Sequence, residues 1–229
     1  MVALVLLPGM DGTGTLFQPL IAEVGDTFNV KVIRYPSTEA FGYETLEELV
    51  VKSLPVDEPF VILGESFSGP IAISIAAAQP KGLIGVILCC TFAINPRPTF
   101  SVFRSLLKIL PPRLAPIAVL DYLLLGRYST RELRSALALA VGQVSSAAFE
   151  ARLNAVHAVN VLSKLKFIAV PVLYLQATKD RVVPPTAAYF IQKELSTVRI
   201  VPIDAPHCLL QAVPSHAASI IKLFLAEVQ

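Results

Sequence analysis

No apolar stretch of this 229-residue chain reaches the ~18 residues that a bilayer-crossing helix needs. The apolar stretches at residues 71–78 and 83–94 both fall short, so no membrane span is expected. Charge is also scarce: 16% of residues are charged against a common ~25%, while apolar residues make up 54%. That balance argues against disorder and points to strands buried on both faces, or to greasy surface around a ligand cleft. Cysteine is limited to three positions. Cys89 and Cys90 are neighbours, which disfavours a bridge between them, and an odd count leaves at least one thiol free. Their spacing suits no metal site, and they read as small buried apolar residues. The opening apolar residues lack a basic flank, and Pro8-Gly9-Met10-Asp11-Gly12 stands where a signal cleavage site would be. They read as a buried strand, and the protein as cytoplasmic.

What is present is an alternation. Short apolar, β-branched runs at 2–7, 30–35, 60–63, 83–89, 172–176 and 198–203 are separated by helical patterns near 15–24, 43–53, 67–79, 185–195 and 215–228. Strand–helix alternation of this kind predicts βαβ units and a parallel sheet in an α/β fold. It breaks between residues 93 and 165, where helical periods near 100–110, 114–125, 130–142 and 146–162 are interrupted by prolines and no strand pattern occurs. The expected organisation is a core of residues 1–92 and 166–229 with a helical insertion, 93–165, between two sheet strands. The insertion holds nine basic and three acidic residues, a balance of +6, against −4 for the remainder. It lacks the aromatic interleaving of a nucleic-acid surface, so no nucleic-acid partner is expected.

Residues 60–74, Phe-Val-Ile-Leu-Gly-Glu-Ser-Phe-Ser-Gly-Pro-Ile-Ala-Ile-Ser, carry the densest chemical signal. An apolar strand runs into Gly64-Glu65-Ser66-Phe67-Ser68-Gly69 and straight into a helix. Ser66 is the candidate nucleophile, and the helix start offers the Phe67 N–H and a positive dipole end to a developing oxyanion. A tight strand–helix turn with a capping serine is the plainer alternative. The stretch resembles the nucleophile elbow of the α/β-hydrolases, with Ser68 standing where a glycine is usual.

That resemblance extends along nearly the whole chain and implies the remaining roles. His207, in Asp204-Ala205-Pro206-His207 just past the last strand, takes the place of the general base, ahead of His157 and His216, which read as partly exposed helix residues. Asp180, in Asp180-Arg181-Val182-Val183-Pro184, takes the place of the acid, with Asp204 a rival by proximity. The chain order Ser66, Asp180, His207 is the α/β-hydrolase order. Residues 7–14, Leu-Pro-Gly-Met-Asp-Gly-Thr-Gly, occupy the oxyanion loop and give Met10 N–H as the second donor beside Phe67 N–H. Gly9, Gly12 and Gly14 do not form the Gly-x-Gly-x-x-Gly of a dinucleotide site. With a single residue ahead of the first strand, about six parallel strands are expected.

The activity implied is serine carboxylesterase chemistry on a small-molecule ester or acyl thioester, with no cofactor and no metal. The insertion is expected to lie over Ser66 as a lid, its apolar residues Phe100, Phe103, Leu106, Leu107, Ile109, Leu110 and 123–125 lining an acyl tunnel or packing on the core. The basic lid is also similar to that of the esterases that cleave pimeloyl-acyl-carrier-protein methyl ester in biotin synthesis. This implies Arg131, Arg134 and Arg152 as a face for an acidic acyl carrier protein. An acyltransferase, perhydrolase or lyase on the same fold, or a non-catalytic ligand-binding relative, remains open at this point.

Overall fold

The computed structural model describes residues 2–98 and 117–229. The six apolar runs form six strands: β1 (Ala3–Leu7), β2 (Asn29–Val32), β3 (Phe60–Glu65), β4 (Leu83–Cys89), β5 (Val172–Ala177) and β6 (Arg199–Ile203). All pair in parallel, in the order β2-β1-β3-β4-β5-β6. Every residue of β1 and β3 is buried, whereas the edge strands β2 and β6 each carry two exposed positions. Continuous apolar runs are what a parallel sheet covered on both faces requires.

Two layers of helices supply that cover. Ala3, Val5 and Leu7 point into a core shared with α2 (Tyr43–Lys52), α3 (Gly69–Ala77) and the later helix Thr186–Glu194. Leu4 and Leu6 point the other way, towards α1 (Gln18–Val24) and the C-terminal helix Pro214–Val228. The period-2 alternation of a strand thus divides one run of leucines between two cores. From β1 the chain crosses to β2 on one side and returns to β3 on the other. The sheet therefore has a topological switch point between β1 and β3, where a crevice opens beyond the carboxyl ends of the strands. The loop after β1 and the turn after β3 both lie there.

Between β4 and β5 the described residues form α4 (Ile117–Leu124), α5 (Arg131–Gly142) and α6 (Ser146–Ala158), with a single antiparallel bridge between Ile94 and Asn160. Thr130 and Ser145 cap α5 and α6 by accepting the N–H groups of Leu133 and Ala148. The expected helix over 100–110 and the apolar residues Phe100 to Leu110 lie outside the described residues. Helix α6 ends at Ala158, short of the expected 162, because the Asn160 side chain accepts the Leu162 N–H and redirects the chain into a 3₁₀ segment, Leu162–Phe167. Strand β2 also stops early, at Val32. Beyond it Ile33 N–H still reaches Leu6, but β1 has turned away at Pro8 and Tyr35 N–H bonds to Gly12 instead. In chain order the remaining helices are α7 (Thr186–Glu194), α8 (Leu209–Ala212) and α9 (Pro214–Val228). The four-residue α8 is not visible as a period in the sequence. Among the described residues no helix is long and apolar enough to cross a membrane.

Candidate active site

Strand β3 delivers Ser66 into a left-handed conformation, φ +50°, followed by a single 3₁₀ turn, Ser66–Ser68, and then α3. A left-handed non-glycine residue costs about 1–3 kcal/mol, which the packing around it must offset. Gly64 and Gly69 make that packing possible. A Cβ on Gly64 would stand 2.8 Å from the Ser68 carbonyl oxygen, and one on Gly69 would run into the Thr91 side chain. Thr91 in turn donates its hydroxyl to the Ser66 carbonyl and is held by Tyr174, whose hydroxyl donates to the Thr91 carbonyl at 2.7 Å.

His207 lies in the loop between β6 and α8, and its Nε2 is 2.8 Å from Ser66 Oγ. Its Nδ1 is 2.8 Å from Asp180 Oδ2 in the loop after β5. The other Asp180 oxygen accepts the Val182 and Val183 N–H groups at 2.7 and 2.8 Å. Both side chains are almost fully buried, 7% exposed for His207 and 5% for Asp180. With Nδ1–H donating to a carboxylate pinned by two backbone donors, Nε2 is left to accept the Ser66 proton. The structure therefore brings together Ser66, His207 and Asp180, residues up to 141 positions apart in the chain. Their rivals are elsewhere. Asp204 is exposed and paired with Arg127 at 2.5 Å, His157 bonds Asn95 at the end of α6, and His216 is exposed in the first turn of α9.

Met10 follows Gly9 in the turn after β1, and among the described residues its N–H has no hydrogen-bond partner. Phe67 N–H opens the 3₁₀ turn, where no intrahelical acceptor exists. Three side chains hold the Met10 loop. Ser68, in place of the usual glycine, donates to the Pro8 carbonyl and accepts the Tyr35 hydroxyl at 2.6 Å, and all three groups are buried. Ser68→Ala or Ser68→Gly is expected to cost about 2 kcal/mol, because a carbonyl and a phenol are each left buried without a partner. A shift in urea midpoint at unchanged m would measure it. The Asp11 carboxylate closes the turn by accepting the Thr13 N–H at 2.9 Å.

The third holder corrects an expectation. Arg152, on α6, does not belong to an outward basic face: it is 1% exposed. One terminal guanidinium nitrogen donates to the Met10 and Asp11 carbonyls at 2.8 and 3.0 Å, and the second terminal nitrogen to the Pro36 carbonyl at 2.7 Å. Nothing local in Ala-Arg-Leu-Asn marks this arginine as internal. It turns inward because three carbonyls of two loops converge on its fork. The basic face is reduced to Arg131 and Arg134 on α5, both exposed, and Arg134 is tied to Asp121 at 2.8 Å. The three cysteines are free and buried. Among the described residues no cluster of histidine, cysteine, aspartate or glutamate is arranged to hold a metal ion.

Known proteins share this architecture. An esterase from Exiguobacterium antarcticum superposes on 99% of this chain and 92% of its own, with a TM-score of 0.86 at 14% identity. An enol-lactonase from Burkholderia xenovorans LB400 superposes on 98% of this chain and 91% of its own, with a TM-score of 0.74 at 18% identity. At such identities the likeness is one of fold. In sequence, 115 residues are 32% identical to phytyl ester synthase 1, chloroplastic, of Arabidopsis thaliana, covering 47% of this chain and only 16% of that protein. The model of the alpha/beta hydrolase family matches residues 4–218, and the chain belongs to that family.

Proposed function

We propose that the protein is a serine carboxylesterase that hydrolyses an acyl ester or thioester through an acyl-enzyme on Ser66. The observation that carries this reading is the continuous relay from Ser66 Oγ through His207 to Asp180, with both links 2.8 Å long, behind a serine held at φ +50°. His207 Nε2 takes the hydroxyl proton as Oγ attacks the acyl carbonyl, and the imidazolium that forms is stabilised by Asp180. The Met10 and Phe67 N–H groups, both without an internal acceptor, receive the oxyanion. The protonated His207 then donates to the departing alcohol or thiol, and water repeats the cycle in reverse.

Purified protein assayed on p-nitrophenyl esters from acetate to decanoate tests the reading, and a fluorophosphonate label mapped by mass spectrometry locates the nucleophile. Labelling at Ser66 with turnover of some member of the series is the expected result. Labelling elsewhere would overturn it. Acyl transfer to an alcohol is the second reading, favoured by the sequence match to a protein named as a phytyl ester synthase. It uses the same acyl-enzyme and differs only in the acceptor, so product analysis with added long-chain alcohol separates the two. Arg131 and Arg134 are the residues on which docking of an acidic carrier protein would rest. Charge reversal at both should then slow a carrier-bound ester and leave p-nitrophenyl esters unaffected.

A further inference from the structure

The relay leaves two buried polar side chains beside it unused. Glu65 ends β3 immediately before the nucleophile and is 6% exposed; Gln211, on α8, is 5% exposed. Gln211 Nε2 donates to Glu65 Oε1 at 3.0 Å. The other end of the amide, Gln211 Oε1, is buried with no donor among the described residues. A carboxylate carries no hydrogen and cannot satisfy that oxygen, whereas a neutral carboxyl has one O–H to give. A single proton on Glu65 supplies the donor that Gln211 Oε1 lacks.

The surroundings agree. The titratable groups bearing on Glu65 are Asp11 from the loop after β1, His207 from the loop before α8, and the thiols of Cys89 on β4 and Cys208. None of these is a lysine or arginine. Burial pushes the carboxyl up from 4.5 to about 7, with Gln211 opposing the rise, Asp11 adding to it and His207 opposing it. The pair also spans the site: Glu65 adjoins Ser66, and Gln211 lies on the short helix that His207 leads into.

We propose that Glu65 and Gln211 form a two-bond carboxyl–carboxamide pair, with Glu65 as the neutral acid, that positions the His207 loop against the nucleophile elbow and loosens when Glu65 loses its proton. The positioning half of this rests on the hydrolase reading above; the protonation half does not. On deprotonation the proton passes to bulk buffer, the bond to Gln211 Oε1 is lost, and an unpaired negative charge is left beside His207. Glu65 and Gln211 are positioning residues, since neither touches the reacting atoms.

Glu65→Gln reproduces the neutral pair, because its amide can donate to Gln211 Oε1 and accept from Gln211 Nε2. In the intact protein, the infrared band of a protonated carboxyl should be present at pH 6, fade through about pH 7, and be missing from Glu65→Gln. A wild type without that band overturns the proposal whether or not any ester is turned over. Stability gives a second readout. Because the folded-state value lies above the unfolded one, the folded protein holds the extra proton between about 4.5 and 7 and loses stability as pH rises across that window. The melting temperature of wild type should therefore fall relative to Glu65→Gln from about pH 5 to about pH 8. In activity, Glu65→Gln should keep kcat and lose any alkaline decline of wild type. Gln211→Leu should lower kcat by about tenfold to a hundredfold with little change in KM. A Glu65→Gln enzyme as impaired as Gln211→Leu would show that Glu65 acts as a charge, and would overturn the neutral pair. Failure of wild type on every ester would count against the hydrolase reading alone, with the infrared band still deciding this one.

Discussion

Ser66→Ala is expected to lower kcat on the best p-nitrophenyl ester by about 10⁴-fold or more, with its melting temperature close to that of wild type. The size follows from what the hydroxyl does. In the proposed mechanism, loss of Oγ removes the acyl-enzyme and leaves water to attack a carbonyl that the Met10 and Phe67 donors would still polarise but nothing covalent would hold. His207→Ala should fall by a similar factor, because a serine without a base is too weak a nucleophile at neutral pH. The double variant should be no slower than either single one. Groups that act as one unit cannot be lost twice, and additive losses would mean that Ser66 and His207 act in separate steps. Asp180→Asn should also lose about 10⁴-fold, because an amide in place of the Oδ2 acceptor favours the tautomer that puts the hydrogen on Nε2, facing Ser66. A Ser66→Ala protein that retains the wild-type rate would remove the nucleophile assignment outright.

How far the sequence leads depends on which residues are asked. The fold class is written in local patterns: six apolar runs at strand length, each followed by a helical period or a turn, predict a parallel sheet, and six parallel strands form. Ser66 is legible because its neighbours Gly64 and Gly69 are required by the same close contact that makes the turn. His207 and Asp180 are legible because each lies just beyond a strand, and a parallel sheet gathers all such loops at one edge. The groups that hold the site in place are not legible in this way. Ser68 stands in the sequence only as a departure from the usual glycine, yet it bonds Pro8 and Tyr35 from two other strand ends. Glu65 and Gln211 meet across 146 positions. Arg152 was read by charge and exposed-face logic, and that logic fails when distant carbonyls, not neighbours on the helix, decide which way a side chain turns.

Arg152 is also where a single change outside the relay should do the most damage. Its guanidinium is the common donor to the Met10, Asp11 and Pro36 carbonyls, and Tyr35 lies beneath it with the ring centroid 5.8 Å away. Arg152→Met keeps the length and the apolar stem but leaves three partly buried carbonyls without their guanidinium donor. A loss of about 3–5 kcal/mol is expected, or roughly 10 °C in melting temperature for a chain of this size. Arg152→Lys should recover only part of it, since one ammonium does not reproduce a fork that reaches two loops at once. The kinetic consequence follows from the covalent geometry of the loop. The Met10 carbonyl that Arg152 holds and the Met10 N–H proposed as an oxyanion donor belong to adjacent peptide planes, so freeing the first lets the second swing. An oxyanion donor that must be oriented during the reaction stabilises the transition state less than one already fixed. At a temperature where Arg152→Met is still folded, kcat should therefore drop by about tenfold to a hundredfold while KM changes little. A variant with the stability loss but an intact kcat would confine Arg152 to a structural role. The Met10 loop would then be held, as far as catalysis is concerned, by Ser68 and the Asp11 turn alone.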